Sequence, residues 1–239
     1  MTKIKYIENS PHPITIGLIG VGGTGSQLLQ FLGRIHTSLK AIGKQGIHCI
    51  VQDGDTVTKA NVGRQLFTKV DIGQNKATAL VSKINRFYGT QWEDEPYYFD
   101  SYNRSDVAAS NIVISCVDKW AIRQEIQTAV NQLCYQQFNE RHTFHLWMDC
   151  GNGKDYGQVI TGSPKYGLPT VIDTYPVVTE DDNTPSCSLA EALKHQDLFI
   201  NTAIALSAAT TLWQLLSTGE IHTTKSFCNL SNSIQYAHN

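Results

Sequence analysis

Ile14-Thr15-Ile16-Gly17-Leu18-Ile19-Gly20-Val21-Gly22-Gly23-Thr24-Gly25 runs a short apolar stretch straight into a cluster of glycines. An apolar run of this length ending in glycine is the pattern of a buried parallel strand that feeds a helix. Glycines at 20, 22 and 25 permit a tight turn, a close approach of backbone to phosphate, and close packing of the following helix. That helix, opening near Thr24, offers its first amides to an anion. Gly20, Gly22, Gly23, Thr24 and Gly25 are therefore expected to contact a nucleotide. The loop alone fits any mononucleotide or dinucleotide.

Outward from this point, strands and helices alternate. Leu28, Leu29, Leu32, Ile35 and Leu39 recur at helical spacing, and Ile47 to Gln52 is a second strand ending on Asp53. Gly73 to Phe87 is expected to be helical, Tyr97-Tyr98-Phe99 to be a third strand, and Asn111 to Val117 a fourth ending on Asp118. A helix over Ala121 to Leu133 and a strand over Thr143 to Asp149 follow. This alternation implies an α/β fold with a mainly parallel sheet flanked by helices. Beyond Gly151 the pattern changes. Tyr156 to Thr161 reads as the hairpin partner of the preceding strand, and Lys225 to Tyr236 as a last edge strand, an antiparallel C-terminal extension. Pro169 to Pro185, with the acidic run Glu180-Asp181-Asp182, reads as a long exposed mobile connection, and Ser188 to Ser217 as helical.

At 239 residues the chain can bury one substantial core. Its 19 basic and 21 acidic residues give a net charge of -2, and no basic cluster exceeds two residues, which argues against nucleic acid or an acidic membrane as partner. None of the 6 cysteines is spaced Cys-x-x-Cys, so no structural zinc is expected, and buried thiols suit a reducing compartment. Met1 to Pro13 carries no apolar signal segment, and the chain is expected to be cytoplasmic. Leu198 to Gly219 lacks charge, but Asn201, Thr202, Ser207, Thr210, Thr211, Gln214 and Ser217 favour a buried or interface helix over a membrane span.

The residues after the glycine loop narrow the ligand. Asp53, ending the second strand, is placed to accept ribose hydroxyls, with Asp55 beside it. Arg64 and Lys76 are two cations where a nicotinamide dinucleotide would present no triphosphate to neutralise. A β,γ-phosphate tail needs such a clamp, and Asn61 and Gln65 can add neutral hydrogen bonds. Asp118 stands at the carboxyl end of a strand, where ligands sit in open α/β sheets, and can hold Mg²⁺ against phosphate oxygens. An NAD-dependent oxidoreductase remains a rival supported by the glycine loop alone.

Together, Gly-x-Gly-Gly-x-Gly, Asp53-x-Asp55, Asn61-x-x-Arg64-Gln65-x-Phe67, Asp71-Ile72-Gly73-x-x-Lys76 and Val117-Asp118 with Arg123 resemble the ThiF/MoeB/ubiquitin-activating enzyme superfamily. The chain is also similar to the short ThiF-family members found in PRTRC gene systems. The resemblance implies a Rossmann-like adenylation domain over 1–239, with 1–13 as an N-terminal arm and 170–187 as a mobile crossover-like loop. It implies Mg-ATP as cofactor and the C-terminal glycine of a small ubiquitin-like or sulfur-carrier protein as substrate. In that scheme Asp53 holds ribose, Asn61, Arg64, Gln65 and Lys76 hold phosphates, and Asp118 holds Mg²⁺. The resemblance also implies a homodimer, to which the uncharged helix near Leu198 to Leu216 would contribute.

Thr184-Pro185-Ser186-Cys187-Ser188-Leu189 resembles the catalytic-cysteine segment of ubiquitin-activating enzymes, so Cys187 is the candidate acyl acceptor. Its place before a helix would favour the thiolate. Cys150 is the rival thiol, with hairpin packing as its expected role. His142 and His145 could pair on a metal but show no third ligand. The family's zinc motifs are absent. The N-terminal arginine that many members donate in trans is replaced by Lys3 and Lys5, poor substitutes for a bidentate guanidinium. A scaffold that binds ATP without turnover is thus a second alternative. A related branch that modifies tRNA fits the missing basic patch poorly.

Overall fold

The computed structural model describes residues 2–100, 110–134, 143–175, 196–232 and 234–238. In chain order the elements are β1 (Thr2–Lys3), α1 (Lys5–Asn9), β2 (Ile14–Ile19), α2 (Gly23–Ala41), β3 (Ile47–Gln52), α3 (Lys76–Tyr88) and β4 (Glu93–Glu95). They continue with β5 (Ile112–Ser115), α4 (Trp120–Cys134), β6 (Leu146–Asn152), β7 (Tyr156–Gly162) and α5 (Val171–Thr174). The last are α6 (Ile200–Thr218), β8 (Glu220–Ile221), β9 (Lys225–Asn229) and β10 (Ile234–His238).

Eight strands form one sheet in the order β10-β9-β7-β6-β5-β2-β3-β4, and β1 pairs with β8 in a small second sheet. The five strands from β6 to β4 run parallel, whereas β7, β9 and β10 continue antiparallel from β6. The expected α/β class, with its antiparallel C-terminal extension, is what the chain adopts. From β2 the chain moves one way to β3 and β4, then returns to place β5 on the other side of β2. The carboxyl ends of β2 and β5 therefore open a switch point, the crevice where ligands bind in such sheets.

Alternation along the strands builds a core on each face. Ile16 and Leu18 of β2, Ile112 and Ile114 of β5, and Leu146, Met148 and Cys150 of β6 share one cluster with α2, α3 and α6. Val113 and Trp147, one residue out of step, join Ile126 and Val130 of α4 and Val171 of α5 on the other face. Leu28, Leu29, Leu32 and Leu39 of α2 are buried, as the periodicity requires. They meet α6, whose Ala205, Ala208 and Ala209 let the two helices approach closely. Each such leucine contributes about 1.5–3 kcal/mol of burial.

Residues 2–9 fold back on the body. Ile4 and Ile7 are buried in the main cluster, and the Ile4 amide donates to the carbonyl of Gly219 at 2.7 Å. No helix among the described residues is long and apolar enough to cross a membrane, and α6 lies in the core.

Two expectations are corrected. Tyr97-Tyr98-Phe99 is not a strand; the third parallel strand is Glu93–Glu95, an acidic triplet on the sheet edge. An edge strand of three residues is held by its backbone ladder to β3 and needs no apolar pattern, which is why its sequence gives no signal. Lys225 to Tyr236 is two strands paired as a hairpin, not one. Of Ser188 to Ser217, residues 188–195 lie outside the described residues, and the helix proper begins at Ile200.

Candidate functional site

The glycine loop caps the switch point. Gly20 has φ +85°, and a Cβ there would lie 2.8 Å from the Cys116 carbonyl oxygen at the end of β5. Only glycine tolerates both the angle and the approach. The Gly20 amide donates to Gln52 O at 2.8 Å and the Cys116 amide to Ile19 O at 2.8 Å, so the three strand ends are laced together below the loop. Gly22 has no atom nearer its Cβ position than Gln65 Nε2 at 3.8 Å, which leaves its backbone open to a ligand.

Asp53 fixes this loop. Its Oδ2 accepts from the Val21 amide at 2.7 Å and its Oδ1 from the Asp55 amide at 2.8 Å. Burial raises its carboxyl above the ordinary aspartate value, against the pull of the Val21 amide and of Lys76. Each oxygen keeps lone-pair capacity for a ribose hydroxyl. Asp55 is pushed up by burial but held below its ordinary value by the stronger combined effect of its partners, Lys76 first. Lys76 Nζ lies 2.7 Å from Asp55 Oδ2, and the Tyr98 hydroxyl donates to Oδ1 at 2.8 Å.

Lys76 opens α3. Asn75 caps that helix by accepting from Thr78 N at 3.1 Å, while its Nδ2 donates to Asp53 O at 2.7 Å and Asp55 O at 3.2 Å. One residue thus ties the start of α3 to the loop after β3 and delivers the buried Lys76 ammonium to the site. Lys119, beside Asp118, adds to the field that lowers Asp55, so the ends of β3 and β5 face each other electrostatically.

Arg64 and Gln65 follow a 3₁₀ turn, Lys59–Asn61, in which Asn61 Oδ1 accepts from Thr58 N at 2.8 Å and Thr58 Oγ1 at 3.0 Å. That cap engages the Asn61 side-chain oxygen within the turn from which Arg64 follows. Arg64 Nη1 donates to Gln196 Oε1 at 2.8 Å, and burial lowers its pKa from the ordinary guanidinium value. Arg64 Nε is buried with no partner, and so is Gln65 Oε1. A part-buried guanidinium with a buried, unpartnered Nε is costly unless an acceptor completes it.

Asp118 stands exposed three residues past β5, which ends at Ser115 and not at Val117 as expected, and its carbonyl oxygen accepts from Arg123 Nη1 at 3.4 Å. Arg123 in turn pairs with Asp149 of β6, Nε to Oδ1 at 2.9 Å. Ser115 Oγ donates to that same oxygen at 2.6 Å and accepts from Trp147 Nε1 at 2.8 Å. Among the described residues no cluster of three metal-ligating side chains occurs. One carboxylate plus substrate phosphates is a common way of holding Mg²⁺, and Asp118 fits that role as donor.

Cys187 lies outside the described residues. Cys150 is buried in the core, and its thiol is pushed well up, first by the adjacent Cys116 and then by burial. This is the packing role expected of it, since such a thiol is a poor nucleophile. Cys116 lies one residue past β5 and is half-buried. His145 is stacked on Tyr6, and its Nδ1 lies 2.7 Å from the Tyr166 hydroxyl. His142 is outside the described residues. Lys3 lies 2.9 Å from Glu8 and 4.0 Å from Glu220.

Asn201, Gln196, Tyr98 and Lys119 reach the site although no motif marks them. Asn201 is one of several polar residues in the uncharged stretch Leu198 to Gly219, with nothing to single it out, and Lys119 is signalled only by its adjacency to Asp118. Nothing in the sequence marks Gln196.

A family model described as "ThiF family" matches residues 12–237, nearly the whole chain. The chain belongs to the ThiF family. Ubiquitin-like modifier-activating enzyme 5 of Bombyx mori is 30% identical over 137 residues, covering 52% of this chain and 33% of that protein. Its counterpart from Xenopus laevis is 24% identical over 167 residues, covering 63% and 37%. The chain therefore spans about a third of the length of the curated relatives it matches. Among solved structures, PaaA aligns with a TM-score of 0.68 at 15% identity, over 95% of this chain and 64% of that one. E. coli MccB with ATP aligns at 0.67 and 12%, over 98% and 65%. These structures share the ThiF fold, with its mainly parallel sheet.

Proposed function

We propose that this ThiF-family chain is an adenylyltransferase that uses Mg-ATP to activate the C-terminal carboxylate of a small ubiquitin-like or sulfur-carrier protein. The observation that carries the reading is the convergence of an open glycine loop, Asp53, the Asp55–Lys76 pair and the half-satisfied Arg64 on one switch point. A nicotinamide dinucleotide carries only a bridging diphosphate, whereas a triphosphate adds the β,γ-tail that a second cation such as Arg64 can neutralise. The relatives are named as activating enzymes and one neighbouring structure holds ATP, which supports the same reading.

The partner's carboxylate is ionised at neutral pH and needs no general base. One of its oxygens attacks the α-phosphorus, the α–β bridging bond breaks, and pyrophosphate leaves with the bond's electron pair. Asp53 orients the ribose. Arg64 and Gln65 Nε2 hold the departing phosphates, and Lys76 turns to them from Asp55, whose half-exposed carboxylate water then solvates. Asp118 would hold Mg²⁺, which would supply charge neutralisation on the phosphates. The work is positioning and electrostatic stabilisation, as phosphoryl-type transfers require. In this reading the Cys187 thiolate attacks the acyl carbon of the adenylate, the acyl–phosphate bond breaks and AMP leaves, giving a thioester, and the protein acts as a cytoplasmic homodimer.

ATP–pyrophosphate exchange with small glycine-ended proteins encoded beside this gene tests the proposal. Exchange dependent on such a partner and on Mg²⁺ is expected. Exchange with none of them, in a protein that binds ATP, would sink it. A thioester on Cys187 predicts a DTT-sensitive adduct lost in Cys187→Ala and kept in Cys150→Ala. A second reading, an ATP-binding scaffold without turnover, is favoured by the engagement of Lys3 with Glu8 and Glu220, which withholds the cation nearest the N-terminus. It predicts nucleotide binding with no exchange.

A further inference from the structure

Three segments far apart in the chain meet on the polar side chains around the start of α6. Thr24 Oγ1, from the glycine loop, donates to Asn201 Oδ1 at 3.0 Å. Asn152 Nδ2, from the end of β6, donates to the same oxygen at 3.2 Å. Asn201 Nδ2 donates to Gln196 Oε1 at 2.8 Å, and Arg64 Nη1 donates to that same Gln196 oxygen, also at 2.8 Å. Gln196 Nε2 reaches Gly153 O at 3.4 Å. Asn201 is only 4% exposed, and a Cβ on Gly23 would lie 2.3 Å from its Oδ1, so the glycine loop is shaped to seat this amide.

The network has a direction. Thr24 of α2 and Asn152 of β6 both hold the Asn201 amide oxygen, which leaves its Nδ2 to donate to Gln196. Gln196 then has its oxygen fixed, and that oxygen anchors the Arg64 guanidinium. A long, charged side chain otherwise costs rotamer entropy to hold in one geometry. With Nη1 tethered, Nε is buried and without a hydrogen-bond partner.

We propose that Gln196 and Asn201 are positioning residues that hold the Arg64 guanidinium beside the glycine loop, so that its remaining donors meet the β- and γ-phosphates of a bound nucleotide. The proposal rests on the nucleotide reading of the site for its ligand, though not for the tether itself. Gln196→Met keeps length and volume but removes the acceptor. Gln196→Glu keeps an acceptor.

The test uses the full chain. Arginine side-chain Nε–H signals are recorded by NMR without nucleotide, the Arg64 signal being assigned with Arg64→Lys, and binding of ATP and AMP is measured by calorimetry. In Gln196→Met the Arg64 signal is expected to shift and broaden, and in Gln196→Glu to remain sharp. ATP binding should weaken about tenfold in Gln196→Met while AMP stays within about twofold, since losing one charge-assisted hydrogen bond affects only the phosphate tail. An unmoved Arg64 signal overturns the inference, as does an equal weakening of ATP and AMP. If the native chain binds no ATP, the nucleotide reading falls. The Arg64 signal, which needs no nucleotide, then still decides whether Gln196 holds the guanidinium.

Discussion

Removing Arg123 should expose how much the carboxyl end of β6 depends on a buried charge pair. Asp149 is 1% exposed, and its Oδ2 has no partner even in the intact protein. Burial already raises its carboxyl above the ordinary value of about 4, with Arg123 the largest opposing influence and Ser115 next. Arg123→Met keeps the hydrophobic stem and deletes the charge. Breaking a buried pair from one side costs about 3–5 kcal/mol. For a chain of this size that is a fall of roughly 6–20 °C in Tm.

The pH dependence has a definite sign. An acid whose folded pKa is raised holds its proton to higher pH in the folded state than in the unfolded one. Stability therefore falls as pH rises from the ordinary aspartate value through the folded pKa. Deleting Arg123 lifts that folded pKa further, so the deficit at pH 8 exceeds the deficit at pH 5. Arg123→Met/Asp149→Asn removes the stranded charge and should recover most of the loss. Thermal unfolding by circular dichroism at the two pH values measures all of this. A single variant that loses less than about 1 kcal/mol at pH 8, or equally at both pH values, would refute the reasoning. So would a double variant no more stable than the single one.

Other outcomes follow from the same geometry. Lys76→Met should cut pyrophosphate exchange about 100-fold, the scale of one lost charge-stabilising donor. It should change unfolding free energy by less than about 1 kcal/mol, because the half-exposed Asp55 left behind is solvated. His145, 4% exposed, has its pKa lowered by burial, with Lys165 adding to it, from 6.5 to about 4. Its contribution is intact above pH 6.5 and is lost as pH falls towards 4, roughly 3 kcal/mol in all. His145→Gln should flatten that part of the stability profile, and an unchanged acid limb would count against the assignment. Gly23→Ala drives a methyl to 2.3 Å from Asn201 Oδ1 and should destabilise by about 1–3 kcal/mol. Combined with Asn201→Ala, its unfolding free energy should be less than additive, because the second change removes the atom it strikes.

Reading the chain from its residues alone succeeds where information is local. The strand Ile47 to Gln52 has the same bounds in the structure, because six apolar-rich residues between turn signals describe a buried parallel strand by themselves. The glycine loop and Asp53 directly follow β2 and β3 for the same reason, whereas Asp118 lies three residues beyond the end of β5 and α3 begins at Lys76 rather than Gly73. Glu93–Glu95 fails this test, since an edge ladder is made by backbone groups that every residue carries.

What tertiary structure alone decides is which polar groups share a space. Thr24 and Asn201 are 177 residues apart, and Arg64 and Gln196 are 132 apart. No periodicity couples such pairs, because their meeting depends on how α2, α6 and the β6–β7 hairpin pack. The same holds for Lys76, which reads as a free phosphate-binding cation in the sequence but rests on Asp55 in the fold. Short-range steric and hydrogen-bonding rules thus write the strands and the glycine turn into the chain. Long-range packing chooses which charges are paired, which are stranded, and which arginine is left waiting for an anion.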